Sequence, residues 1–150
     1  MKQAIERTRE GIASGQSPFG SVIVFEGRVI ASTHNTVWRD TDPTAHAEIN
    51  SIRLASRTRQ SIDLAGATLY STCEPCPMCL AAIHWSKISR VIYGATIADA
   101  ANAGFSELSI PAREMVRLGN SPLVVVGGLL AEECAGLFQE WRERSLNGAY

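Results

Sequence analysis

The sequence predicts an α/β fold, a three-layer α/β/α sandwich around a mixed five-stranded sheet. Three observations carry this prediction. Two β-rich runs, residues 21–25 and 28–32, flank Glu26-Gly27, which reads as a two-residue hairpin turn. The rest of the chain alternates helix-period segments with short strands, and a hairpin followed by that alternation gives a mixed sheet with helices on both faces. The later strands are brief continuous apolar runs of the kind that lie buried. With 150 residues, no repeat, no low-complexity tract and no linker, residues 1–150 read as one domain.

Each element has a local reason. Ile5, Thr8, Ile12 and Ala13 give a modest apolar face, so residues 2–14 read as a helix ended near Gly15. The hairpin strands follow. Asp42-Pro43-Thr44 reads as a turn and N-cap, with a helix over residues 44–56 that starts near Ala45. Residues 68–71 form a short strand that feeds a helix bearing Cys76 and Cys79 and running to about Ser86. Pro75 and Pro77 bracket Cys76, and proline is tolerated in a first helical turn. Residues 91–93 and 123–126 are the last two strands, and residues 131–145 form a final amphipathic helix.

Composition bounds the class. Hydrophobic residues make up 45% of the chain, which is ordinary for a globular domain. No apolar run approaches the ~18 residues of a membrane span, and residues 1–10 read as a polar helix rather than a signal peptide. A net charge of −1 gives no electrostatic footprint for a polyanion, which tilts against nucleic acid. Of four cysteines, Cys73 and Cys134 are expected as buried free thiols in a reducing cytoplasm.

The chemistry concentrates in two short stretches. Thr44-Ala45-His46-Ala47-Glu48 and Pro75-Cys76-Pro77-Met78-Cys79 together read H-x-E … P-C-x-x-C. Both stretches fall at predicted helix N-termini, whose partial positive charge favours thiolates and carboxylates. Cys79 lies three residues beyond Cys76, on the same helix face. A C-x-x-C pair alone is as often a redox pair or one corner of a structural zinc finger. A finger needs a fourth ligand at matching spacing, and neither Cys73 nor Cys134 repeats the pair.

This pattern resembles the signature of the zinc deaminases of nucleobases, in which one His and two Cys hold the metal and a non-ligating Glu moves protons. The resemblance implies one Zn²⁺ per chain on His46, Cys76 and Cys79, with Glu48 as the proton carrier. The assignment makes chemical sense. Three protein ligands leave the fourth tetrahedral position open, as in catalytic sites. The metal brings the pKa of a bound water towards about 7, and Glu48 is placed to accept its proton. The implied fold is the cytidine deaminase-like sandwich.

Within that superfamily the chain resembles bacterial guanine deaminases over nearly its whole length, with tRNA adenosine deaminases next. The guanine-type stretches are Pro18-Phe19-Gly20, residues 73–79 followed by Ile83-His84-Trp85, residues 99–105, Phe138-Gln139-Glu140-Trp141-Arg142 and the closing Tyr150. Residues 129–134 look more like the tRNA enzymes. Residues 98–102, Ala-Asp-Ala-Ala-Asn, lack the basic residues that would meet phosphates in those enzymes.

The resemblance implies a substrate site. Phe19 and Trp85 would sandwich a flat purine by stacking. Asn35 and Ala47 would meet the base, Asn35 through an amide that both donates and accepts. Glu107 would grip the N1–H and 2-amino donors of guanine and move protons, as both a catalytic and a binding residue. Tyr150 would fold over the site, in some relatives that of a partner subunit. A homodimer is expected, since the Cys-bearing helix carries Leu80, Ala81, Ala82 and Ile83 and the family is oligomeric. The implied reaction is hydrolytic deamination of a free purine base, guanine to xanthine. Deamination of tRNA adenosine, cytosine or another amino-heterocycle is the alternative.

Overall fold

A computed structural model describes residues 1–144, 148 and 149. Helix α1 (Lys2–Ala13) leads into the hairpin of β1 (Gly20–Phe25) and β2 (Arg28–His34). A one-turn helix α2 (Val37–Asp40) precedes α3 (Ala47–Arg59), and β3 (Thr68–Cys73) then runs directly into α4 (Pro77–Trp85). After β4 (Arg90–Ala95) come α5 (Ile97–Asn102), α6 (Ala112–Leu118), β5 (Val124–Val126) and α7 (Ala131–Arg144).

The strands form one mixed sheet in the order β2-β1-β3-β4-β5. The hairpin pair and β1/β3 are antiparallel, whereas β3/β4 and β4/β5 are parallel. Glu26 and Gly27 both have positive φ, 48° and 73°, as a primed two-residue turn requires. The expected mixed five-stranded sandwich is therefore the observed one.

Two apolar clusters occupy the two faces. One gathers Ile5 and Ile12 of α1 with Leu137, Phe138 and Trp141 of α7 and Phe19 and Phe105. The other gathers Ile23, Leu69 and Val91 of the sheet with Ala55 of α3, Leu80 and Ile83 of α4 and Leu123. Two glycines set the closeness of the layers. A Cβ on Gly20 would lie 2.3 Å from Thr8 Oγ1, and one on Gly94 would lie 2.2 Å from Cys134 Sγ. Glycine is what lets α1 and α7 seat against the sheet, and it gives Cys134 a packing role. Cys73 and Cys134 are buried free thiols, and burial raises the pKa of both, Cys134 to about 11.

The boundaries differ from the sequence reading at particular places. The helix expected from residue 44 begins at Ala47, with His46 as its N-cap. Asp42 Oδ1 takes both the backbone N–H and the hydroxyl of Thr44, at 2.8 and 2.7 Å, and this local turn keeps Thr44 out of the helix. Ala13 points to solvent rather than into the apolar face of α1. Helices α2, α5 and α6, of four, six and seven residues, are too short for periodicity to register. Residue 145, the expected end of the last helix, lies outside the described residues.

The register gathers one end of the sheet. Gly20 at the start of β1 pairs with His34 at the end of β2. Ser21 pairs with Ser71 of β3, and Cys73 at the end of β3 pairs with Ala95 at the end of β4. Antiparallel pairing of β1 with β3 thus brings the residues before β1 beside those after β2, β3 and β4. Phe19, Asn35, Cys76 and the loop after α5 all emerge there.

Candidate metal centre and active site

His46 and Cys76 are the N-cap residues of α3 and α4, both with extended backbone (φ −65°, ψ 156° and φ −63°, ψ 165°). An N-cap side chain points along the axis beyond the first turn, so two converging helices direct an imidazole and a thiol at one point. Cys79, in the first turn of α4, completes the group. The donor atoms of His46, Cys76 and Cys79 lie within 4.8 Å of one another, the only such cluster of three or more among the described residues. His46 Nδ1 stands 3.7 Å from Cys76 Sγ and 3.5 Å from Cys79 Sγ. A tetrahedral zinc with bonds of about 2.3 Å to sulfur and about 2.0–2.1 Å to nitrogen places S and N roughly 3.6 Å apart. The cage fits the ion.

Its electrostatics also call for a cation. Hydrogen bonding from Cys79, with further help from His46, lowers the Cys76 pKa to about 4, while Cys79, as donor, is pushed up. Burial opposes protonation of His46, but its hydrogen bond with Cys76 and the Glu48 charge overcome that, and its pKa is raised. Glu48 is 5% exposed, and desolvation first, then the Cys76 charge, raises its pKa. Its Oε1 accepts from Ser71 Oγ at 3.0 Å, and its Oε2 lies 3.5 Å from Cys79 Sγ. A buried carboxyl with an elevated proton affinity, one atom contact from the cage, suits a group that takes and returns a proton.

Beside the cage opens a cavity of about 210 Å³, lined by Phe19, Pro43, His46, Cys76, Met78, Phe105 and Glu107 among others. That is below the roughly 300–1,000 Å³ of pockets for drug-sized ligands and suits a single small heterocycle. Phe19 serves two surfaces: it faces the cavity and also packs edge-on against Phe105 and Phe138, with centroids at 4.9 and 5.8 Å. Glu107 contributes a carboxylate whose Oε2 is buried and accepts no hydrogen bond among the described residues. Desolvation, followed by the charges of Cys76 and Glu48, raises its pKa to about 7.

The other expected substrate contacts are placed differently. Asn35 is fully buried and uses Oδ1 to accept from the Val37 N–H at 3.0 Å, while its own backbone N–H donates to Phe19 O. It braces the loop carrying Phe19. Ala47 is fully buried in the first turn of α3, and its carbonyl accepts from Thr33 Oγ1 at 2.7 Å. Trp85 is a correction: it is 82% exposed at the far end of α4 and does not line the cavity, so no Phe19–Trp85 sandwich forms within one chain. Pro77 opens α4 beside the cage and Trp85 closes it, so the helix rise of about 12 Å carries the indole away from the metal site. Tyr150 lies outside the described residues. Ser71 as a partner of Glu48 and Phe105 as a wall of the cavity went unrecognised in the sequence; Ser71 sits on a strand with no signal pointing to Glu48.

Comparison with known proteins agrees with this geometry. Residues 1–95 match the family described as the cytidine and deoxycytidylate deaminase zinc-binding region. Guanine deaminase of Bacillus subtilis is 39% identical over 143 residues, covering 95% of this chain and 91% of that protein. The tRNA-specific adenosine deaminase of the same organism is 35% identical over 148 residues, covering 96% and 89%. The structure of a guanine deaminase from Nitrosomonas europaea superimposes with a TM-score of 0.86 at 29% identity, covering 95% of this chain and 82% of that one.

Three outcomes follow from the cage. Purified protein holds about one zinc per chain, and Cys76→Ala loses the metal and much stability, measured by elemental analysis and thermal unfolding. In chelator-stripped protein at pH 7, Cys76 is a thiolate while Cys73 and Cys134 are thiols, so iodoacetamide modifies Cys76 first, and zinc protects it. Mass spectrometry that found Cys134 labelled ahead of Cys76 would contradict the charge assignment. Glu48→Gln keeps zinc and fold but lowers kcat by at least ~10²-fold, the scale of general acid–base catalysis; near-normal ammonia release would remove Glu48 from the proton path.

Proposed function

The chain belongs to the family of cytidine and deoxycytidylate deaminases, and we propose that it deaminates a free purine base, guanine, to xanthine and ammonia. Zinc is the cofactor and hydrolysis of a C–N bond in a cyclic amidine is the reaction class. The observation that carries the substrate choice is Glu107: an acid on the cavity wall with a buried oxygen that has no hydrogen-bond partner among the described residues. A carboxylate is the natural acceptor for the N1–H and amino donors of guanine, whereas adenine offers no donor at N1. The 39% identity to a guanine deaminase supports the same choice.

His46, Cys76 and Cys79 would hold the zinc, which when bound supplies an activated water nucleophile at neutral pH. The base lies against Phe19, with Glu107 fixing its donor edge. Glu48, held by Ser71, takes one proton from the attacking water. A C–O bond forms at the amine-bearing carbon and Glu48 returns that proton to the ring nitrogen beside it. Glu48 then carries the proton of the new hydroxyl to the amino group, the C–O bond becomes a carbonyl, and the C–N bond breaks as ammonia departs. Phe19, Pro43 and Phe105 restrict bulk water around the reacting carbon. The unpaired cysteines suit a reducing cytoplasm, and no helix among the described residues is long and apolar enough to cross a membrane.

The chain acts as a homodimer. An apolar groove of about 450 Å³ runs along α4 and α6 past Leu80, Ala81, Met115 and Leu118, and the exposed Trp85 lines a neighbouring cavity that shares His84, Ser121 and Leu123 with it. A partner covering this face would bury that indole. Light scattering at micromolar concentration gives twice the 16.2 kDa chain mass; a monomer mass would refute the pairing and any role for Tyr150 in a partner's site.

Substrate choice is tested by ammonia release from guanine, guanosine, adenine, cytosine, ammeline and tRNA. Guanine is turned over, with little dependence on salt, because a neutral base releases no counterions. Glu107→Gln places an amide donor against guanine's donors and lowers kcat/KM on guanine by roughly 10- to 100-fold. Inert guanine together with tRNA deamination that weakens steeply with salt would hand the site to the tRNA adenosine reaction.

A further inference from the structure

Glu74 is a buried acid that the reaction does not touch. It stands between the end of β3 and Cys76, and it is 7% exposed. Its carboxylate reaches two separate helices: Oε1 accepts the Ala112 N–H at 2.8 Å and Oε2 accepts the Ile97 N–H at 3.3 Å. Ile97 and Ala112 are the first residues of α5 and α6. Tyr93 lies close enough to feel the acid: its pKa is raised by burial first and then by the Glu74 charge. Helix N-termini present unpaired N–H groups and a partial positive charge, so one carboxylate satisfies two of them with charge-assisted bonds. The N-cap residue of α6, Pro111, has no side-chain cap of its own.

What lies between the two anchored helix starts gives this clamp its consequence. Residues 103–111 leave α5 through Gly104 (φ +102°), pass Phe105, Glu107 and Leu108 on the cavity wall, and return to α6. Most of this segment is exposed, with only Ala103 and Phe105 buried. The stretch from Ile97 to Ala112 that contains it is fixed at both ends to Glu74, two positions before a cage cysteine. Cys76 and Glu107 are thereby held in register through one short piece of chain.

We propose that Glu74 is a positioning residue for the deamination: by holding the starts of α5 and α6 it fixes the segment bearing Glu107 over the metal centre. This rests on the reading of Glu107 as the group that grips the base. An ordinary structural acid would lower stability when lost and affect every substrate contact alike. A positioning residue acts through Glu107, so the two losses overlap.

The experiment is a double-mutant cycle on zinc-loaded enzyme with guanine, combined with amide hydrogen exchange. Glu74→Gln and Glu74→Ala keep one zinc per chain, and kcat/KM falls on the order of tenfold or more. Exchange at Ile97 and Ala112 and through residues 103–111 accelerates, while α3 stays protected. Adding Glu107→Gln to Glu74→Ala costs markedly less than Glu107→Gln costs alone. Glu74→Asp, a carboxylate on a shorter stem, restores part of the protection. Fully additive losses, or unchanged exchange through residues 103–111 in Glu74→Gln, would overturn the proposal. If Glu107→Gln alone leaves guanine kinetics intact while Glu74→Gln still loosens the segment, the clamp stands as structure and the base-gripping role of Glu107 fails. Should Glu74→Ala not fold, Glu74→Gln and Glu74→Asp complete the same cycle.

Discussion

Everything in this site depends on bringing three soft donors from two helix starts to one point. An N-cap side chain lies ahead of its own helix, so α3 and α4 deliver His46 and Cys76 to the same place only if their axes converge there. The sheet enforces that convergence. β3 passes straight into α4 through Glu74 and Pro75, while Ser51 of α3 donates to the Ser21 carbonyl of β1 at 3.1 Å. Thr33 of β2 ties to the Ala47 carbonyl in the first turn of α3. The metal centre is thus built into the hydrogen bonding of the β2-β1-β3 part of the sheet.

Convergence of helix starts concentrates charge as well as ligands. Burial first, then the Cys76 thiolate, raises the cost of ionising Glu48 and Glu107, and the Glu48 charge adds to that of Glu107. Such crowding of like charge in a low-dielectric space is costly without a counter-charge. A divalent ion on His46, Cys76 and Cys79 meets that demand, so the electrostatics of the cage and the chemistry of the loaded protein have a common origin. The proton affinity that suits Glu48 to a carrier's role comes from the same burial. Metal binding and folding are then coupled, because the three donors come together only in the folded chain.

The opposite face of the sheet takes part through packing. The aromatic cluster Phe19, Phe105, Phe138 and Trp141 joins α7 to the cavity wall, with Phe105 and Trp141 centroids 5.0 Å apart. α7 itself can approach only because Gly94 leaves room for Cys134. The cavity wall is therefore the rim of a core cluster, and a change in how α7 seats would reach Phe19 without any contact to the metal. Asn35 adds a second brace, donating its backbone N–H to the Phe19 carbonyl and anchoring Val37.

The sequence by itself determined the fold class, the hairpin with its Glu26-Gly27 turn, and the metal triad. The fold class and the hairpin are legible because turn chemistry and strand alternation are properties of a few adjacent residues. The triad, with His46 thirty residues before Cys76, is legible through the resemblance of the H-x-E … P-C-x-x-C pattern to the zinc deaminases. The short helices α2, α5 and α6 were not legible, since one or two turns cannot establish a period; in the structure a Thr96–Asp99 capping box starts α5. Tertiary structure alone decided the partners of buried groups. Ser71 meets Glu48 across 23 residues of chain, Glu74 meets Ala112 across 38, and Trp85 turns out to face solvent rather than Phe19. Such pairings depend on strand register and helix seating, where a shift of one residue turns a side chain to the other face. Composition and spacing along the chain carry no record of that choice.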